Sequence, residues 1–159
     1  IWDKVVTDSG TTGYVARGDD DEDYIRVVGE SNTNGNNFKI SSSNIVCEPK
    51  VTVDNINNKL SGAIIKDAKG KKVTSGNIGT GYTIEYDGEK YTVIKMGDVD
   101  SDARTTSADY VKIKNYIMEK SSLSDVQKQG ADVDLDGKTT SADYVRLKNY
   151  IMGKDNITI

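Results

Sequence analysis

Residues 97–120 read GDVDSDARTTSADYVKIKNYIMEK, and residues 131–154 read ADVDLDGKTTSADYVRLKNYIMGK. Aligned at an offset of 34 residues, 17 of the 24 positions are identical, so the C-terminal third of the chain is an internal duplication. Each copy divides into an aspartate-rich stretch and a segment with helical spacing of its apolar residues. Tyr110, Val111, Ile113 and Ile117 carry that spacing in the first copy, and Tyr144, Val145, Leu147 and Ile151 in the second. Ser107 and Ser141 stand where N-cap hydroxyls belong and Gly153 is a stop signal, which predicts helices over 107–119 and 141–152. A short helix is expected over 123–129 between them. Tyr110, Tyr116, Ile117, Met118 and their counterparts Tyr144, Tyr150, Ile151 and Met152 are expected to form the core between the two long helices.

The carboxylates fall at positions 1, 3, 5 and 12 of a loop: Asp98, Asp100, Asp102 and Asp109 in the first copy, Asp132, Asp134, Asp136 and Asp143 in the second. Alternate residues of a curled loop present oxygens to one point. Position 7 adds a backbone carbonyl, from Arg104 or Lys138, and position 12 closes the shell from the first helical turn. Oxygen donors select a hard cation, and a flexible loop suits calcium, with its six or seven ligands near about 2.4 Å, better than strictly octahedral magnesium near about 2.1 Å. Two calcium ions are therefore expected. Empty, each loop holds four mutually repelling anions, so the loops are expected to open without metal, making binding and folding one event. A merely solvated acidic surface would not place eight carboxylates at matching positions in two copies. At position 6, Gly137 permits a left-handed turn, whereas Ala103 opposes it by about 1 kcal/mol. The first site is expected to be the weaker.

A strand pattern, Tyr91 to Met96, precedes the first loop, so the unit is loop then helix, without the leading helix that a calmodulin-like sensor uses to open a groove. Upstream, residues 1–96 are rich in Val, Ile, Thr, Tyr, Gly and Asn with half-buried alternation, and an all-β region of small sandwich or barrel modules is expected. Candidate strands are 2–6, 13–16, 24–28, 50–54, 63–67, 81–86 and 90–96, with a Ser9-Gly10 turn and a tight Asp87-Gly88 hairpin. The acidic cluster Asp19 to Asp23 lacks the alternate spacing of a metal loop and reads as a solvated turn. The fold class is thus α+β and multi-domain, divided as 1–44 (the C-terminal part of a small β domain plus linker), 45–96 (a small β module), 97–154 (the duplicated repeats) and 155–159 (a tail).

Composition narrows the chemistry. Lys and Arg number 21 against 25 Asp and Glu, a net charge of 21 − 25 = −4, which disfavours a nucleic-acid binder. With no histidine and only Cys47, the chain builds no Ser-His-Asp or Cys-His site, no structural zinc cluster and no internal disulfide. No apolar run approaches the roughly 20 residues a membrane span needs. A chain that begins at Ile1-Trp2 and reads at once as a strand is expected to continue a longer protein.

Two loop-helix calcium repeats joined by a short connector at the end of a larger chain resemble a dockerin module, carried by residues 97–154. The resemblance implies an α-helical dockerin of two F-hand calcium repeats, whose helices bind a cohesin domain of a scaffoldin or cell-surface protein. The dockerin would attach a parent protein to an extracellular, cellulosome-like assembly for polysaccharide degradation in bacteria. The family's recognition positions fall on Ser107, Ala108, Lys114 and Asn115, and on Ser141, Ala142, Lys148 and Asn149. Matching faces imply docking in either of two orientations related by about half a turn. The chain would then be secreted and non-catalytic, belonging to a larger enzyme. Residues 45–96 resemble the small β modules that precede dockerins, and Trp2 to Val6 with Gly13-Tyr14-Val15 is similar to the closing strands of bacterial SH3-like domains. The alternative is a cell-wall or carbohydrate-binding fragment in which the calcium repeats are only structural.

Overall fold

The computed structural model describes residues 2–6, 12–16, 26–28 and 37–159, with side chains from residue 37 onward. Its strands are β1 (Trp2–Val6), β2 (Thr12–Ala16), β3 (Arg26–Val28), β4 (Phe38–Ile40) and β5 (Asn44–Cys47), followed by helix α1 (Val53–Lys59). Strands β6 (Ile64–Lys66), β7 (Thr83–Tyr86) and β8 (Glu89–Lys95) come next, then helices α2 (Ser107–Ile117), α3 (Asp125–Ala131) and α4 (Ser141–Ile151). The Ser9-Gly10 turn and the Asp19 to Asp23 cluster lie outside the described residues.

β1 and β2 pair antiparallel, Trp2 opposite Ala16. The other six strands form one mixed sheet in the order β3-β4-β5-β8-β7-β6. Only β5 and β8 run parallel among its pairs, with Ile45 opposite Val93; α1, β6 and β7 supply the crossover that parallel neighbours require. Between β7 and β8, Asp87 (φ 54°) and Gly88 (φ 81°) are both left-handed, the backbone a two-residue hairpin turn needs.

Two expectations for this region need correction. It is not all-β: residues 50–54, expected as a strand from the alternating Val51 and Val53, instead enter α1. Thr52 caps that helix, its side chain accepting from the Asn55 amide at 3.3 Å while Asn55 Oδ1 accepts from the Thr52 amide at 2.9 Å. Val53, Ile56 and Leu60 then recur at helical spacing and are at most 1% exposed, so the helix gains burial that a strand would have spread over two faces. The sheet also runs across the expected division between residues 44 and 45. β3 and β4 pair onto β5, and Phe38 and Ile40 share a core with Ile45, Ile56, Ile65, Ile84 and Val93.

β5 has a face in each of two cores. Ile45 belongs to the first, whereas Val46 packs on the second, which gathers Met96, Val99, Ile113, Ala131, Val133, Leu147 and Ile157. The duplicated region is therefore built directly onto the sheet. Met96 donates its amide to the Cys47 carbonyl at 2.8 Å, and Gly97 donates to Gly130 of α3 at 2.8 Å. Residues 155–159, expected as a tail, also return to the sheet: Ile157 is 1% exposed, and the Ile159 amide donates to Glu48 Oε1 at 2.9 Å. Glu48, itself fully buried, accepts in addition from the amide and side chain of Asn37.

Within the repeats, the long helices meet through Ile113, Leu147 and an edge-on Tyr110–Tyr144 contact with ring centroids 5.8 Å apart. Their N-caps are Thr106 and Thr140, not Ser107 and Ser141, which are the first helical residues. The reason is reciprocal bonding: Asp109 and Asp143 stand three residues after the threonines and accept from their amides at 2.7 Å in both copies. The connector helix begins later than expected, with Ser124 as its cap. Part of the expected core also lies outside: Ile117, Met118 and Met152 are 38%, 48% and 52% exposed, because α2 and α4 bury only one stripe each. The four tyrosines and Ile151 are partly buried against the second core.

Candidate metal centres

The structure brings together three carboxylates in each loop. Oxygens of Asp98, Asp100 and Asp102 lie within 4.8 Å of one another, as do those of Asp132, Asp134 and Asp136. The loops curl through side-chain acceptance of their own amides. Asp102 donates to Asp100 Oδ1 at 3.1 Å and Arg104 to Asp102 Oδ1 at 2.8 Å, while Lys138 donates to Asp136 Oδ1 at 2.8 Å. Arg104 and Lys138 thus sit at the expected seventh positions with exposed side chains.

The twelfth-position residues do not join those triads. Asp109 Oδ1 accepts from Val99 at 2.8 Å and Asp100 at 3.1 Å, and Asp143 Oδ1 accepts from Val133 at 2.9 Å. Each of these fully buried aspartates clasps the start of its loop with one oxygen and the helix cap with the other. That clasp sets the angle at which the loop enters its helix.

Burial pushes the Asp98 carboxyl up to about 6, opposed chiefly by the Thr80 amide and reinforced by the Asp109 charge. Burial likewise raises Asp109 and Asp132 above the ordinary carboxylate value. Asp98 Oδ2 is satisfied by the amides of Thr80 at 2.8 Å and Ala103 at 3.2 Å, whereas buried Oδ1 has no hydrogen-bond partner. A buried carboxylate oxygen left alone is costly and a cation beside it removes the cost, so the donor set fits a divalent metal. Ala103 takes the left-handed backbone (φ 68°) expected of position 6, as does Gly137 (φ 84°).

Sequence reasoning missed the residues that support the first loop from outside the repeat: Lys95 at the end of β8, and Gly79 and Thr80 in the segment between β6 and β7. They lie 3, 19 and 18 positions before Asp98, in segments whose spacing carries no loop signal. The threonine caps were missed as well, in favour of the serines one position on, although Thr-Ser-Ala-Asp carries the signal: a cap residue with its reciprocal acid three positions on.

The outer faces of α2 and α4 match each other. Ser107, Ala108 and Lys114 are exposed and Asn115 is partly so; Ser141, Ala142, Lys148 and Asn149 repeat the pattern. Val111 and Met118 lie exposed beside the first set, and Val145 and Met152 beside the second. Oxygen-lined loops, each feeding a helix with an exposed mixed apolar and polar face, define a metal-organised interaction module. Residues 96–152 match the family model of the dockerin type I domain, and this segment is a dockerin module. No curated protein and no solved structure matches the chain. Dockerin domains are non-catalytic, bind calcium and bind cohesin, which gives the segment a general adaptor role. Among the described residues, no helix is long and apolar enough to cross a membrane.

Proposed function

We propose that the chain docks its parent protein onto a cohesin domain of an extracellular scaffolding or cell-surface protein, in an assembly of the cellulosome kind. Each loop takes one calcium ion: Asp98, Asp100 and Asp102 with the Arg104 carbonyl serve the first, and Asp132, Asp134 and Asp136 with the Lys138 carbonyl the second, while Asp109 and Asp143, whose oxygens clasp loop and cap, would complete each shell at position 12 by taking the ion in addition to those amides. When bound, calcium neutralises the carboxylates and fixes the loops; the protein's own part is to hold α2 and α4 side by side with their outer faces free. Ser107, Ala108, Lys114 and Asn115, or their counterparts Ser141, Ala142, Lys148 and Asn149, meet the partner. The observation that carries this reading is the equivalence of the two exposed faces, down to Val111 with Met118 and Val145 with Met152. Because Thr106 and Thr140 supply the caps, the Ser107 and Ser141 hydroxyls are not needed to start the helices and are available to a partner.

The sheet and α1 form the base that holds the dockerin relative to the rest of the parent, a division of the chain near residue 96 in function more than in packing. Secretion agrees with loops that need external calcium to stay filled. The test is binding to a panel of cohesins with calcium and with EGTA. Replacing Ser107 or Ser141 alone should leave binding, since the other face remains, whereas the double replacement should abolish it with the melting temperature unchanged. Chelator-independent capture, or binding to cell-wall polysaccharide that survives the double replacement, would overturn the proposal.

A further inference from the structure

The two loops match at nine of twelve positions, but their surroundings differ. At the base of the first, Lys95 is 2% exposed and its Nζ donates to the Ala103 carbonyl, inside the loop, at 3.0 Å. Burial lowers the Lys95 ammonium from its ordinary lysine value, and the charges of Asp98, Asp102 and Asp109 act against that burial. One repeat later the corresponding residue is Gln129, exposed and bonded to Asn44 at 3.2 Å. Thr80 supports the first loop beside the lysine. Its hydroxyl accepts from the Lys95 amide at 3.0 Å and donates to the Lys95 carbonyl at 3.1 Å, which aims its own amide at Asp98 Oδ2. Ala103 is 5% exposed and rests on Gly79, where a Cβ would come within 2.8 Å of the alanine methyl. In the second loop, Asp132 accepts from the loop's own amides, Gly137 at 2.8 Å and Asp136 at 3.1 Å, and Gly137 faces open space.

We propose that Lys95 and Thr80 hold the first loop closed in the absence of metal, so that calcium removal opens the second loop and leaves the first in place. Each loop carries four carboxylates and one exposed cation at position 7, Arg104 or Lys138, so Lys95 brings the first to −4 + 1 + 1 = −2 against −4 + 1 = −3 for the second, and the Lys95 ammonium is buried where its field is little screened. Lys95 of β8 and Thr80 of the segment before β7 add two fixed donors, the Thr80 amide and Lys95 Nζ, and Gly79 adds a packing contact; around the second loop the described residues offer instead the Thr139 hydroxyl, which donates to the Lys128 carbonyl at 3.1 Å. Lys95 and Thr80 are positioning residues: they act on the loop and not on the partner. The proposal rests on the calcium reading of both loops and replaces uniform opening of empty loops with an ordered response.

The experiment is amide hydrogen exchange on the full chain, with calcium and after EGTA, resolved over 97–109 and 131–143. Chelation should speed exchange over 131–143 by about tenfold or more and change 97–109 by less than about twofold. In Lys95→Met, which keeps the length and removes the charge, chelation should open 97–109 as well. Calcium should close it again, and exchange over 53–66 should stay unchanged, which a general loss of stability would not allow. Should Lys95→Met fail to fold, Thr80→Val removes the hydroxyl that aims the Thr80 amide and takes the same readouts. Equal opening of both loops in the parent chain overturns the proposal while the calcium reading stands, and so does metal binding with neither loop opening on chelation. Absence of any terbium luminescence or exchange response would bring down the calcium reading itself.

Discussion

Gly130→Ala tests the junction of sheet and dockerin with a sign that helix propensity alone gets wrong. Gly130 is the penultimate residue of α3, and in an unencumbered helix interior alanine would stabilise by about 1 kcal/mol over glycine. Here a Cβ would stand 2.8 Å from the Asp98 carbonyl oxygen, 3.2 Å from Thr80 Oγ1 and 3.3 Å from the Lys95 carbonyl oxygen. Two of these three neighbours are backbone atoms, so no side chain can swing aside to make room. Forcing such a contact costs about 2–3 kcal/mol within the usual range for overpacking, which leaves a net destabilisation of about 1–2 kcal/mol after the propensity gain. For a chain of this size that corresponds to a fall in melting temperature of about 2–8 °C. Thermal unfolding followed by far-UV circular dichroism, in saturating calcium so that metal occupancy is not the variable, measures it. Gln129→Ala, one position earlier and exposed, should shift stability by no more than about 0.5 kcal/mol. If Gly130→Ala melted at or above the parent chain, the close packing of α3 on the first loop and β8 would be refuted.

Four further outcomes follow. Gly137→Ala should destabilise by about 1 kcal/mol in urea unfolding, since only the left-handed backbone at φ 84° opposes it. Ala103→Gly should be close to neutral, because relief at φ 68° is offset by loss of a buried methyl worth about 0.8 kcal/mol. Thr106→Ala and Thr140→Ala should each cost about 1 kcal/mol through loss of the cap, whereas Ser107→Ala should leave the melting temperature nearly unchanged. Burial pushes the Cys47 thiol up to about 12 from the free value of 9.0, so the protonated thiol is the form the fold accommodates. Stability associated with Cys47 is complete below pH 9.0 and is lost as pH rises toward 12, so the parent should lose more stability than Cys47→Ala over that range, read from urea midpoints; parallel pH curves would count against it.

What the sequence disclosed and what it withheld divide along the distance over which each residue acts. The loops and their helices were legible because their main signals lie within a dozen positions, carboxylates at alternate sites and a left-handed residue at position 6, although the caps were placed one residue late, on Ser107 and Ser141 in place of Thr106 and Thr140. The Asp87-Gly88 hairpin was legible for the same reason. Helix α1 was misread because Val51 and Val53 alternate like a strand, while the stronger signal, Thr52 facing Asn55 and Val53, Ile56 and Leu60 at helical intervals, begins one residue later. The pairing of β4 with β5 across Ser41 to Ser43 was hidden by a polar run that reads as a linker, although Phe38 and Ile40 bury their side chains in the core. Long-range partners left no trace at all. Nothing near Glu48 in sequence indicates that its carboxylate will hold Ile159, 111 residues away.

The same distinction explains how a nearly exact duplication produces two unlike sites with two alike faces. Identity between the copies fixes what each helix presents outward, since exposed side chains depend only on their own helix: hence Ser107 with Ala108 and Ser141 with Ala142. The inner side of each loop depends on what it is built against, and there the symmetry ends, because only the first loop follows directly from a sheet strand. Lys95 and Gln129, and Ala103 and Gly137, are equivalent positions at which the copies differ, and in both pairs the first-copy residue is buried against the sheet while its counterpart is exposed. Ala103 is therefore a compromise: its methyl occupies the seat above Gly79 at the expense of a strained backbone, whereas Gly137 has no seat to fill and keeps the relaxed turn. An exchange of these residues separates the two effects. Ala103→Gly combined with Gly79→Ala refills the seat from the Gly79 side without left-handed alanine, and should be more stable than Gly79→Ala alone, in which the methyl groups collide. Additive effects of the two substitutions would show that Ala103 does not rest on Gly79, and the asymmetry of the loops would then need another origin.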